Sequence, residues 1–143
     1  MTTIELTNDE LARASHALSE LMKETRPFRL GLALRRVARQ IEPAVQDAAE
    51  MERGIVERHA RHDAQGELVP GRDANGEVQP GTVEVTDPRA CHAELDALRR
   101  THVKVQVEPL TLDDLRDPGP GVAPRVLLAL GELIDDRTPA AHP

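Results

Sequence analysis

The sequence predicts a mostly α-helical fold with a small β component (α+β), built on a long antiparallel helical hairpin with short strands and a β-arm or loop. The strongest signal is the stretch from Pro27 to about His62, where apolar residues recur at steps of three or four, as on a helix with one buried face. Valines at positions 103, 105 and 107 alternate with polar residues, which predicts a half-buried strand. The stripe of the long helix consists of Leu30, Leu34, Val37, Ile41, Val45, Ala48, Met51 and Ile55.

The composition limits both the core and the classes of partner. The 143 residues fit one domain, but only 39% are hydrophobic and Phe28 is the single aromatic residue. A thin core and a long striped helix favour self-association, because the stripe needs a partner helix from the same chain or from another copy. We therefore expect a homo-oligomer. The net charge of −7 argues against nucleic-acid binding.

Export and membrane insertion are not expected from this sequence. The N-terminal residues MTTIELTNDE are polar and acidic, unlike a signal peptide. The longest apolar run, Val126 to Leu130, is too short to span a bilayer. The single cysteine, Cys91, excludes an internal disulfide and suits a reducing cytoplasm.

The N-terminal part predicts a strand and two helices. The opening T-T-I-E-L alternates like a short strand. Thr7 and Glu10 have capping-box spacing, which starts a first helix that ends near Lys23. Pro27 suits the first position of the long helix. Pro43 predicts a kink or break within this helix. It does not predict the helix end, because the apolar stripe continues beyond it. The inward residues of the first helix are Leu11, Ala14, Leu18 and Leu21.

Residues 63–87 contain two near copies of one short sequence. D-A-Q-G-E-L-V-P-G begins at Asp63, and D-A-N-G-E-V-Q-P-G begins ten residues later at Asp73. Each copy predicts a turn, a short extended piece and another turn, so we expect a surface β-arm or an ordered loop. Asp73, Asn75 and Glu77 alternate as calcium ligands do, but the twelve-residue EF-hand loop with its terminal Glu is missing. Turn chemistry alone explains these residues.

The C-terminal part predicts a helix, a strand and a further helix. Asp87 and Pro88 have the cap and first-position chemistry of a third helix. The strand of alternating valines is the natural partner for the N-terminal strand around Ile4 and Leu6. Inward residues are Cys91, Leu95 and Leu98 in the third helix, and Val126, Leu130, Leu133 and Ile134 in the fourth. The remaining segments are a turn or single helical turn at 110–115, a linker at 117–121, the fourth helix at 122–135 and a frayed tail.

These elements predict one domain over the whole chain. Its parts are the helical hairpin (1–62), the Gly/Pro-rich β-arm or loop (63–87), the helix–strand–helix segment (88–137) and the tail (138–143).

Five segments stand in a recognisable order along the chain. They are T-N-D-E-L, R-P-F-R-L-G-L-A-L-R-R-V, D-A-N-G-E, H-A-E-L-D-A-L and T-H-V-K-V-Q-V-E-P-L. This order resembles a group of small uncharacterised bacteriophage or prophage proteins that are often encoded near the tail and lysis genes of long-tailed phages (siphophages). The doubled turn and Pro43 depart from the pattern of that group. The resemblance implies a phage origin, a location in the host cytoplasm or the virion, and a helical hairpin with a small sheet. It implies no assigned reaction, so no functional residue is carried over.

A basic stretch surrounds the start of the long helix. With Lys23 and Glu24 it carries a charge of about +5, which leaves about −12 for the rest of the chain. Free N–H groups at a helix start favour an anion, so this stretch predicts a site for a phosphate-bearing ligand or an acidic partner. A solvated helix face that balances the acidic remainder explains the same residues. The predicted site residues are Arg26, Arg29, Arg35, Arg36 and Arg39.

Histidine and cysteine residues give a weaker signal for a metal or catalytic site. His59 and His62 are three residues apart and can share one helix face. Cys91 and His92 can approach them in the fold, but no second pair completes a ligand set. Histidines on the surface of a helix end explain the first pair, and a buried apolar side chain explains Cys91. We predict no metal, no cofactor and no catalytic residue.

Two functional hypotheses follow from the sequence. The first is a non-enzymatic, self-associating bacteriophage protein that serves as an accessory or structural part, or that binds a phage or host protein. The alternative is a phage small-ligand binder that sequesters a nucleotide or another anionic signal to counter host defence. The long striped helix motivates the first hypothesis, and the basic stretch motivates the second.

Overall fold

The computed structural model describes residues 1–135. The chain forms two compact units. Unit 1 comprises Met1–Asp47 together with the chain from Arg100 onward, and unit 2 comprises Ala48–Arg99. The predicted tail at 138–143 lies outside the described residues. The helices are α1 (Asn8–Met22), α2 (Phe28–His59), α3 (Pro88–Arg100) and α4 (Pro124–Leu130). The strands are β1 (Thr2–Thr7), β2 (Pro70–Arg72), β3 (Val78–Val83), β4 (His102–Val107), β5 (Leu110–Thr111) and β6 (Ile134–Asp135). The predicted α+β class is confirmed.

The predicted capping box starts α1. The hydroxyl of Thr7 accepts a hydrogen bond from the backbone N–H of Glu10 at 3.1 Å, and the Glu10 carboxylate accepts one from the Thr7 N–H at 3.2 Å. The helix then turns back into α2 within five residues. Met22 shares a surface pocket with Leu32, whereas Ser15, nearer the start of α1, shares one with the later α2 residue Glu42. The two helices therefore run antiparallel, as predicted.

The apolar core of unit 1 is formed by these helices, by β1 and β4, and by the segments that follow β4. The four predicted inward residues of α1 are buried, and so is the first half of the α2 stripe, from Leu30 to Ile41. Val45 and Ala48 are only half-buried. The prediction for Met51 is wrong: its side chain is exposed, because it falls between the buried residues of unit 1 and Ile55, the next fully buried stripe residue. Helical period alone does not say where covering elements end.

The two prolines predicted to shape the long helix differ in their effect. Pro27 lies just before α2, and its carbonyl accepts a hydrogen bond from the N–H of Gly31 at 2.9 Å. Pro27 is therefore the N-cap, and the prediction that it is the first helical residue is wrong. A break at Pro43 does not occur, because α2 continues through it. The predicted helix end at His62 is too late, since α2 ends at His59 and His62 forms a β-bridge with Leu68.

The predicted strand pair is confirmed, and the structure gives its register. In the antiparallel pair β1–β4, Ile4 lies opposite Val105 and Leu6 lies opposite Val103. Leu6 and Val105 are buried, whereas the intervening polar residues are exposed. The alternation therefore predicts the correct buried face, because successive side chains of a strand point to opposite sides.

The C-terminal elements differ from the prediction. The fourth helix was expected over 122–135, but α4 covers only Pro124–Leu130. Gly131 has φ +45°, and a 3₁₀ turn (Gly131–Leu133) follows. Leu110, expected in a turn, begins β5 and pairs in parallel with Ile134 of β6. Two-residue strands carry no detectable period, which is why the sequence did not reveal them.

Unit 2 contains the predicted β-arm. Strands β2 and β3 pair antiparallel with an irregular register. Asp63 and Asp73 make the same hydrogen bonds in the two repeats: one carboxylate oxygen accepts from the N–H groups two and four residues later, at 2.9 to 3.0 Å. Gly66 and Gly76 both have positive φ, at 81° and 79°, a conformation that glycine adopts without strain. The repeated sequence is therefore a repeated turn.

Helix α3 begins as predicted. The Asp87 carboxylate accepts a hydrogen bond from the N–H of Ala90 at 3.1 Å, and Pro88 is the first helical residue. Cys91 is buried, while Leu95 and Leu98 are half-buried.

Candidate functional site

An apolar and basic surface lies on the exposed face of the first part of α2. Phe28 is 81% exposed and Leu32 is 51% exposed, and residues four apart share one helix face. Arg35 and Arg39 follow Leu32 at steps of three and four residues on the same helix face, and both are exposed. Met22, at the end of α1, adds a further exposed apolar side chain. We refer to Met22, Phe28, Leu32, Arg35 and Arg39 as the α2 patch.

The α2 patch includes two neighbouring depressions. The first has a volume of about 380 Å³ and is lined by the α1–α2 turn together with Phe28 and Leu32. The second has a volume of about 460 Å³ and is lined by Leu32, Arg35, Arg36, Arg39 and Gln40. Leu32 and Arg35 line both. The two depressions are therefore adjacent along the helix, and each is lined by both apolar and basic side chains.

Arg26, one of the predicted site residues, links the α1–α2 turn to a distant segment of the chain. Its guanidinium donates hydrogen bonds to the carbonyl of Leu21 at 3.1 Å and to those of Pro118 and Pro120 at 2.7 and 2.6 Å. The predicted linker at 117–121 is thereby fastened to the α1–α2 turn. Three of the five N–H donors of this guanidinium are therefore bound to backbone carbonyls, which gives Arg26 a structural role.

Two more of the predicted arginines have acidic neighbours. Arg29 lies 3.0 Å from a carboxylate oxygen of Asp113 and 3.2 Å from one of Asp114. The Nε atom of Arg36 lies 3.3 Å from a carboxylate oxygen of Glu108, without hydrogen-bond geometry. Both pairs reduce the positive potential at the start of α2.

Arg35 and Arg39 are the two predicted site residues that remain unengaged. Neither guanidinium has a hydrogen-bond or ion-pair partner within residues 1–135, and both side chains are accessible to solvent. Within the described residues, the structure therefore separates the five predicted arginines into three with a hydrogen-bond or ion-pair partner and two without. The unengaged pair lies beside exposed apolar side chains, which favours a protein partner over a small phosphate-bearing ligand.

The histidine and cysteine candidates are placed in unit 2. His59 Nε2 lies 3.1 Å from one carboxylate oxygen of Glu94. Arg58 donates a hydrogen bond to the other carboxylate oxygen of Glu94 at 3.0 Å. His62 is exposed, and Cys91 is buried. Across residues 1–135, no three His, Cys, Asp or Glu side chains come close enough together to hold a metal ion.

Sequence reasoning missed a second surface, which lies on the β-arm. Each repeat contains an exposed glutamate followed directly by an exposed apolar residue: Glu67 with Leu68, and Glu77 with Val78. Residues 63–87 include six acidic residues and one basic residue, for a net charge of −5. We refer to residues 63–87 as the acidic arm. The signal was present in the sequence as the repeated G-E-L and G-E-V, but the repeat was interpreted only as turn chemistry.

Comparisons with models of protein families, with curated proteins and with solved structures found no match to this chain. The resemblance to phage proteins therefore stays a prediction. No helix in the described part of the chain is both long enough and apolar enough to cross a membrane.

Proposed function

We propose that this is a non-enzymatic phage protein that self-associates, with the α2 patch as its contact surface. The observation that carries the proposal is the exposure of Phe28, the single aromatic residue of the chain. On this proposal the protein acts as an accessory or structural part of the phage, in the host cytoplasm or in the virion.

Aromatic side chains carry much of the energy of protein contacts. Each buries about 150–250 Å², and aromatic residues and arginine are enriched at interfaces. In this chain the core of unit 1 is built from Leu, Val, Ile and Ala, while Phe28 lies outside it beside Leu32 and two unengaged arginines. This is the composition of an interface hot spot and its rim.

The oligomeric state tests the proposal. Light scattering coupled to size-exclusion chromatography is expected to give a molar mass that is a multiple of the 15.7 kDa chain and that rises with concentration. Phe28→Ser combined with Leu32→Ser is expected to give a folded monomer, because both apolar side chains leave the contact.

A matched control uses two exposed leucines outside the α2 patch. Leu112→Ser combined with Leu128→Ser also removes two exposed apolar side chains and is expected to leave the mass unchanged. A wild-type protein with the mass of one chain at every concentration would overturn the proposal.

The groove lined by Arg35, Arg36 and Arg39 supports one alternative proposal, the binding of a nucleotide or another anionic signal. This alternative predicts a rise in melting temperature with a nucleotide or with inorganic phosphate, and loss of that rise in the variant with Arg35→Ala and Arg39→Ala. A wild-type melting temperature that does not respond to these anions would reject it.

A further inference from the structure

We propose that the α2 patch of one copy binds the acidic arm of a second copy. This inference rests on the proposed self-association and names its two surfaces. Because the arm and the α2 patch are different parts of the chain, the contact would be head-to-tail. Contacts of this kind build rings when they close and filaments when they do not.

The charges of the two surfaces are complementary. Four acidic residues of the arm have structural partners: Asp63 and Asp73 bind their own turns, Asp87 caps α3, and Glu84 lies 3.3 Å from Arg61. The carboxylates of Glu67 and Glu77 have no partner within residues 1–135. These two carboxylates equal the two unengaged guanidinium groups of the α2 patch in number and are opposite to them in charge.

The apolar side chains are complementary as well. Leu68 is 43% exposed and Val78 is 48% exposed, and each follows one of the two unengaged glutamates. Between residues 63 and 82, every residue is exposed except Val69, Gly71 and Asp73, which are half-buried. The arm therefore has almost no core of its own, and contact with Phe28 and Leu32 would remove apolar surface from water on both sides.

A symmetric contact between two α2 patches is the less favourable arrangement. It would bring Arg35 and Arg39 of two copies to the same interface, and like charges in contact oppose association. An acidic arm removes this repulsion and supplies hydrogen-bond acceptors for the guanidinium groups. Charge therefore favours the arm over a second α2 patch.

The experiment compares the molar masses of three variants with that of the wild type. The arm variant carries Glu67→Lys and Glu77→Lys, and the patch variant carries Phe28→Ser and Leu32→Ser. The control for charge carries Glu50→Lys and Glu57→Lys, two exposed glutamates on α2 outside the arm. The arm variant and the patch variant are each expected to be monomers, whereas the control is expected to associate like the wild type.

Mixing the two monomeric variants gives the decisive result. The patch variant retains an intact arm and the arm variant retains an intact α2 patch, so one good contact forms between them. The second possible contact pairs a basic arm with a basic patch that lacks its apolar anchors. The mixture is therefore expected to form a heterodimer with twice the 15.7 kDa chain mass and to stop there. Higher salt should weaken this heterodimer, because salt screens exposed charges.

The outcomes separate this inference from the proposed function. A monomeric wild type overturns both. If the wild type associates and the patch variant is monomeric, but the arm variant associates like the wild type, then the α2 patch is a contact surface whose occupant is not the arm. Failure of the two monomeric variants to form a heterodimer on mixing also overturns the inference. Circular dichroism of each variant confirms that the masses belong to folded chains.

Discussion

The two units of this chain differ in how their structure is stabilised. The described residues of unit 1 include one cluster of 17 buried apolar residues, contributed mainly by helices α1, α2 and α4 and by the strands around them. In unit 2 only Ile55, Ala60 and Cys91 are buried apolar residues. Apolar burial is the dominant favourable term in folding, so the comparison teaches that unit 1 carries most of the free energy of folding.

Unit 2 is ordered mainly by hydrogen bonds instead, and its exposed ion pairs add little. The N–H of Arg61 donates to the carbonyl of Glu84 at 2.8 Å, and the N–H of Val69 donates to the carbonyl of Arg61 at 2.9 Å. Ion pairs such as Arg99 with Glu52, at 3.5 Å, are exposed, and exposed pairs contribute only about 0–1 kcal/mol. Unit 2 has local order and many exposed side chains, which suits a segment that presents a binding arm.

Removing a core side chain from unit 1 should have the largest effect. Leu34→Ala is expected to lower the free energy of unfolding by about 2–5 kcal/mol, because the side chain is fully buried. Met51→Ala on the same helix is expected to change it by no more than about 0.5 kcal/mol, because that side chain is exposed. Chemical denaturation measures both. Equal losses would show that the stripe is buried evenly along α2 and that the contrast between the units is wrong.

Removing a helix cap from unit 2 should have an intermediate effect. Asp87→Ala is expected to destabilise α3 by about 0.5–2 kcal/mol, because the N–H of Ala90 loses its acceptor. Asp87→Asn keeps an acceptor oxygen and serves as the control. The loss should appear in hydrogen exchange at the start of α3 before it appears in global denaturation. An alanine variant as stable as the asparagine variant would mean that this hydrogen bond does not support unit 2.

The unengaged arginines should have the smallest effect on stability. Arg35→Ala and Arg39→Ala are each expected to change the free energy of unfolding by no more than about 0.5 kcal/mol, while they weaken association. Arg26→Ala is the contrasting variant, since its three hydrogen bonds to carbonyls would be lost. The opposite ranking, with Arg35 and Arg39 needed for folding and Arg26 dispensable, would place the wrong residues in the α2 patch.

Features determined by nearby residues could be predicted from the sequence. The capping box of Thr7 and Glu10, the cap at Asp87 and the pairing of the strands around Ile4 and Val105 all follow from short-range spacing or strict alternation. The repeated turns at Asp63 and Asp73 belong to the same class. Each depends on residues within one element or on one pair of well-patterned strands.

Features determined by contacts between distant residues could not be predicted from the sequence. The exposure of Met51 depends on where covering elements end, and Gly131 ends α4 by a positive φ that its sequence context did not suggest. For the candidate site, the composition of the basic stretch was visible in the sequence. The division between Arg26, which binds carbonyls 92 and 94 residues away, and the unengaged Arg35 was not. Long-range acceptors decide which charges remain available, and they have no local signature.

Amide hydrogen exchange along α2 tests the contrast between the units most directly, because one continuous helix contributes residues to both. At a concentration where the chain is monomeric, amides from Leu34 to Ile41 are expected to exchange only through global unfolding. Amides from Ala48 to Gly54 are expected to exchange faster, through local opening. Uniform protection from Leu34 to Ile55 would contradict the account, because it would make α2 one cooperative element with no difference in stability between the two units.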